Sequence, residues 1–171
     1  MCIPKTERGD KVELKMKKTL ALFLCILFAL SFASCSSPES APSADLKEVL
    51  ADMESQLSIS DPLKVDTEDD LMTIYGIEAA DVKQFAGMYS GTGINADEIM
   101  MVEAVDSDAA GRVKEKLEKR YQDKENETVQ YLPDQYDIVQ KGEVRVNGNY
   151  VSLLVAQDAD KLFSIYEGYI K

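Results

Sequence analysis

Val144-Arg145-Val146-Asn147-Gly148-Asn149-Tyr150-Val151-Ser152-Leu153-Leu154-Val155 reads as a β-hairpin. Strand-forming residues stand on both sides of an Asn-Gly pair, which is the strongest short-range signal for a two-residue type I′ turn. With Asn147-Gly148 at the turn, Val146 pairs with Asn149 and Val144 with Val151. Side chains alternate across a strand, so Val144, Val146, Val151, Leu153 and Val155 share one face, which is expected to be buried. Arg145, Tyr150, Ser152 and Leu154 share the other, and Tyr150 with Leu154 make that face only partly wet.

Upstream lies a second pair of strands. Val82–Tyr89 carries Val82, Phe85, Met88 and Tyr89, and Ile99–Val105 opens on the apolar run Ile99-Met100-Met101-Val102, interrupted by Glu103. Ser90-Gly91-Thr92-Gly93 between them supplies turn chemistry. Helical spacing is clear in three places. Leu46, Val49, Leu50, Met53 and Leu57 form a stripe with Ser43 as the expected N-cap; Ala110, Val113, Leu117 and Tyr121 form a second, over a helix from Asp108 to about Glu125. Leu162, Ile165, Tyr166 and Tyr169 form a third behind Asp158. A short helix Leu71–Tyr75 closed by Gly76, and another over Asp134–Gln140 begun by Pro133, complete the set. Ile59–Val65, with Asp61-Pro62, reads as a loop. The order α, α, β, β, α, α, β, β, α implies an α+β fold: a four-stranded antiparallel sheet from two β-hairpins, with helices packed on one face.

The N-terminal quarter is of another kind. Leu20–Ala33 is 14 residues without a charge, behind Lys17 and Lys18. A bilayer-spanning helix needs roughly 20 apolar residues, so this length fits a signal-peptide core instead. Phe32-Ala33-Ser34-Cys35 resembles the lipobox of bacterial lipoproteins, whose cysteine is lipidated and becomes the new N-terminus. It departs at Phe32, where leucine is usual. The alternative is ordinary cleavage after Ala33 and a free secreted protein. Cys25 is a poor rival to Cys35, because bulky Leu24 precedes it. Met1–Lys15 mixes both charge signs, unlike a signal n-region, so residues 1–15 are expected to be a mis-called extension ahead of a start at Met16. The expected organisation is a signal peptide over 16–34, the lipidated Cys35 and a tether over 35–43, and a single α+β domain over 44–171. Ser36–Ser43 (SSPESAPS) is proline- and serine-rich; extended, it reaches roughly 25 Å.

Composition narrows the function classes. Ahead of Ser36 lie three acidic and six basic residues, which leaves 28 acidic and 13 basic, a net charge of −15, over residues 36–171. That charge repels DNA, RNA and anionic headgroups, so no nucleic-acid partner is expected. The chain has no histidine and no tryptophan, and nothing after Cys35 is cysteine. Disulfides, Cys/His zinc sites, thiol nucleophiles and imidazole-based triads are therefore excluded from that part of the chain. Gly91-Thr92-Gly93 lacks the lysine and the long following helix of a phosphate loop. Asp106, Asp108 and Gly111 match three positions of a calcium loop, but Ala110 and Leu117 stand where two ligands are needed, and a helix cap is the simpler reading. Asp66-Thr67-Glu68-Asp69-Asp70 likewise reads as a cap followed by an acidic first turn. Lys114–Arg120 is a basic cluster on a helix laced with i,i+4 pairs, expected to be exposed. No cofactor, no metal site and no catalytic residue is expected.

Several motifs taken together suggest a family. The lipobox, Tyr75-Gly76-Ile77, Ala96-Asp97-Glu98-Ile99 at the start of a strand, Leu117-Glu118-Lys119-Arg120, Tyr131-Leu132-Pro133 and Gly148-Asn149-Tyr150-Val151 resemble those of Gram-positive bacterial lipoproteins grouped as domain of unknown function 4358. The resemblance covers residues 16–171 and implies no catalytic or binding residue. The expectation is a non-catalytic module, tethered to the membrane through Cys35 and facing outside the cytoplasm, that binds a small-molecule ligand or a protein at the cell surface. Tyrosine suits half-buried contact surfaces, and residues 36–171 hold eight tyrosines against two phenylalanines. Tyr89, Tyr131, Tyr136 and Tyr150 are the candidate ligand-binding residues. The alternative is a cell-envelope hydrolase using an Asp/Glu carboxylate pair.

Overall fold

The computed structural model describes residues 44–170. Asp45, not Ser43, caps the first helix, α1 (Leu46–Gln56): its carboxylate accepts from the Lys47 N–H at 2.9 Å. There follow β1 (Pro62–Val65), α2 (Glu68–Asp70, running on as a π-helical turn Leu71–Tyr75), β2 (Val82–Ser90) and β3 (Glu98–Ala104). The second half holds α3 (Ser107–Tyr131), α4 (Tyr136–Val139), β4 (Glu143–Asn147), β5 (Tyr150–Val155) and α5 (Ala159–Tyr169).

The fold is α+β with one open antiparallel sheet, and the sheet has five strands rather than four, in the order β1-β2-β3-β5-β4. The added strand is β1, in the stretch read as a loop. It is four residues long, has three of them exposed, and starts on proline, which the first position of an edge strand tolerates. Such a strand carries no apolar alternation, and it is held by pairing with Gly87–Ser90.

Helices cover both faces, which corrects the one-sided packing expected. Ile99 and Met101 of β3 face α1 and α5, in a core with Leu46, Val49, Met53, Leu162, Phe163 and Tyr166. Met100 and Val102, one residue out of phase, face α3 through Val113 and Leu117. Every residue of β3 and β5 is buried. The uninterrupted apolar run at Ile99–Val102 is what a strand buried on both faces requires.

The β4–β5 hairpin forms with its turn one residue later than expected. Asn147 pairs with Tyr150, Val146 with Val151 and Val144 with Leu153, leaving Gly148-Asn149 at the tip. Gly148 has φ 59° and Asn149 is not left-handed, which is the II′ rather than the I′ arrangement. Moving the tip by one residue moves the pairing by two, so the shared faces survive. Val151, Leu153 and Val155 are buried as expected, but on β4 Val146 is 44% exposed, and the face expected to be partly wet is buried too: Tyr150 and Leu154 lie under α1 and α5, and Ser152 is fully buried.

Asp158 precedes α5 without a side-chain cap bond, whereas three other helix ends behave as read. Asp106 accepts from Ala109 N at 2.8 Å, Thr67 and Asp70 form a reciprocal capping box, and Gly76 ends α2 at φ 66°. α3 runs past Glu125 to Tyr131. It stops at Leu132 because the residue before Pro133 disfavours helical backbone.

Candidate functional site

A groove of about 380 Å³ lies where β1 stops short. β1 ends at Val65, opposite Gly87, and beyond that point the outer edge of β2 has no strand neighbour. Phe85 and Ala86 line it at that edge, Leu50 and Ala51 of α1 form one wall, and Leu71 of α2 lies on another side. Charges ring the opening. Lys47 and Lys83 stand at one end; Glu54, Lys64, Asp66 and Glu68 stand at the other, with Lys64 Nζ 3.0 Å from Glu54 Oε1. An apolar floor with a few polar groups at the rim is the usual character of a binding site.

Two buried carboxylates on β3 hold the elements around this groove and beneath α3. Glu103 is 4% exposed and accepts from Lys83 Nζ at 2.5 Å and from the Gln84 amide. Gln84 also donates to Ala44 O at 2.8 Å and accepts from Leu46 N at 3.1 Å, while the Tyr150 hydroxyl accepts from Ala44 N at 3.2 Å. This network pins the start of α1 against β2. Burial pushes the Glu103 carboxyl up, but bonds from Lys83 and Gln84 outweigh it and leave it below its ordinary range.

Glu98 is fully buried on the opposite face. Arg120 grips it with both ends of its fork, at 3.0 and 2.8 Å, and Lys124 stands at 2.8 Å. Burial again pushes the carboxyl up, and the charges of Lys124 and Arg120 hold it down overall. The Arg120 guanidinium also lies 5.8 Å from the centre of the Tyr75 ring. Arg120 belonged to the cluster expected to be exposed. Lys114 and Lys119 do pair with Glu118 and Asp123 on the wet face, each at 2.6 Å, but Arg120 turns inward. The signal was its spacing: Val113, Leu117, Arg120, Lys124 and Thr128 form one continuous helical stripe, whose last three members are polar.

The chain matches the model of a family described as Domain of unknown function (DUF4358) over residues 55–156. It belongs to that family. No curated protein and no solved structure matches the chain. In this DUF4358 member the matched stretch contains all five strands and α3, so both buried carboxylates and the β2 edge lie inside it. The α1 wall of the groove lies outside it.

The four candidate tyrosines are not brought together. Tyr89 is half-buried on the α3 face of β2, and Tyr150 is core on the other face. Tyr131 is 75% exposed at the end of α3, and Tyr136 begins α4, 37% exposed. Cys35 lies outside the described residues. Among the described residues no group of three acidic or thiol side chains could hold a metal ion, and no helix is long and apolar enough to cross a membrane. Sequence reasoning missed the groove because two of its walls meet only through the sheet edge left open by β1.

Proposed function

We propose that this DUF4358 protein is a lipid-anchored lipoprotein facing outside the cytoplasm, whose domain binds a ligand or protein partner at the cell surface without catalysing a reaction. The groove at the open edge of β2 is the observation that carries the binding half of this reading. The short apolar run, Lys17-Lys18 and the box ending on Cys35 support the anchor. A carboxylate-pair hydrolase would place a carboxyl of raised pKa in such a cleft. Among the described residues the raised one is Asp97, pushed up by burial, and it does not line the groove.

Two measurements test the halves separately. Cys35→Ala moves the protein from the membrane fraction to the medium or the soluble fraction; a variant that stays membrane-bound overturns the anchor. A photo-crosslinker placed at Ala51, in the groove, captures a partner in intact cells that one at exposed Gly111 on α3 does not. Equal capture from both positions, or none from Ala51, overturns the groove.

A further inference from the structure

Resting on that reading of the groove, we infer that its occupant is an extended peptide segment that adds to β2 as a short strand, antiparallel to it, with a basic residue leading and an acidic residue trailing.

The backbone supplies the first argument. In an antiparallel ladder, successive residues direct their N–H and C=O groups to alternate sides. Ser90 N–H donates to Asp97 O, toward β3, and Gly91 N–H donates to Asp61 O, on the β1 side. Ser90, Met88 and Ala86 therefore face β3, while Tyr89, Gly87 and Phe85 face outward. β1 serves the outward groups as far as Gly87. The Phe85 N–H and C=O come next, where β1 has ended. An open strand edge between two walls is the arrangement that extended peptides join, main-chain bonds giving affinity and flanking side chains selectivity. The bulge between Val82 and Gln84 limits the regular stretch to about two or three residues, which suits a short segment.

The rim charges supply the direction. Leu46 N–H reaches Gln84, so Lys47 stands at the Val82 end, beside Lys83. Glu54 lies seven residues further along α1, about 10 Å away, and meets Lys64, whose strand partner is Met88. Asp66 and Glu68 follow directly after β1. The groove is thus acidic where β1 ends and basic at its far end. A strand running in the sense of β1 enters at the acidic end and leaves at the lysines. Glu54 is engaged by Lys64 and Lys83 by Glu103, so the strand's leading residue meets chiefly Asp66 and Glu68, and its trailing residue chiefly Lys47. A parallel addition would reverse the match.

The test uses the full chain and a fluorescent peptide, Lys-Val-Thr-Val-Glu, acetylated and amidated at its ends so that only side chains carry charge. Two controls accompany it: the charge-reversed Glu-Val-Thr-Val-Lys, and the parent N-methylated at the central threonine. The parent binds, and both controls bind at least tenfold more weakly. Lys47→Glu, an exposed substitution, weakens the parent and narrows its preference over the reversed peptide. Equal binding of the parent and reversed peptides, indifference to N-methylation, or no binding of the parent at about 1 mM overturns the inference. If Ala51 still captures a partner in cells when the peptide result fails, only the strand addition falls. If Ala51 captures nothing, the groove reading falls with it.

Discussion

Glu98 and Glu103 sit five residues apart on the same strand, both buried, and the fold treats them differently. Five is odd, so they face opposite sides of the sheet. Glu98 is enclosed by two cations from α3, Arg120 28% and Lys124 10% exposed at their side chains. Glu103 is met by one lysine that is itself 58% exposed, by a neutral amide and by the Tyr150 phenol beside it. The first is a closed ionic lock between helix and sheet; the second is a polar clasp at the rim of a groove. A buried charge is costly when its partner is removed, and the cost depends on whether the remaining partners can return to water. Lys83 can. Lys124 cannot without moving α3.

That difference sets the order of expected effects. Glu98→Ala strands two cations under α3 and lowers unfolding free energy by about 3 kcal/mol in urea titrations, the low end for a broken buried pair because Arg120 is partly wet. Replacing Glu98, Arg120 and Lys124 together with leucine and methionine recovers most of that loss; if it does not, the lock contributes more than compensation for burial. The lock also has a pH signature. The Glu98 carboxyl is lower in the folded chain than its ordinary value of 4.5, so its stabilisation is complete above that value and is lost as pH falls through the folded pKa. Glu98→Gln flattens the acid limb of the stability profile, and an unchanged limb would show that other carboxylates dominate it.

Glu103→Ala costs less, about 1–2 kcal/mol, because Lys83 swings into solvent. Its distinctive effect is local: amide exchange at Leu46 speeds more than exchange in β3. Tyr150→Phe removes a hydroxyl that accepts from Ala44 N and costs about 1 kcal/mol, again with faster exchange at the start of α1. A loss as large as that of Glu98→Ala at either position would erase the distinction between lock and clasp. Asp97 offers the smallest effect and the opposite sign. Burial raises its pKa, so folding is favoured at acid pH and that advantage fades as pH rises through the folded value. Asp97→Asn gives a small gain at pH 7, below the loss from Tyr150→Phe, and no gain in acid.

Much of this was readable from local pattern. The β4–β5 hairpin, the caps at Asp106 and Thr67, the stop at Gly76 and the stripes of α1 and α3 are set by contacts within a few residues, and all stand close to where they were read. Two hints were present and underused. The run Ile99–Val102 and the face shared by Tyr150 and Leu154 both pointed to a sheet covered twice, and Arg120 and Lys124 continue the buried stripe begun by Val113 and Leu117. The position of the hairpin tip, one residue off, depends on whether Gly148 is the first or second central residue, and Asn-Gly-Asn serves either.

What the sequence determined by itself is the class of the fold and the character of the chain: strands paired by a Gly-containing turn, helices with their stops, and an acidic composition without histidine. Local propensity and spacing suffice for these. The tertiary structure alone decided that β1 exists, that helices lie on both faces, and that an open edge of β2 faces α1. Each of those depends on a partner distant in the chain: β1 on Gly87–Ser90, the second layer on α1 meeting α5, and the groove on a strand ending one pair too soon. Pairing between segments far apart leaves little trace in either segment alone. The groove is the clearest case, since it is formed by a strand that stops.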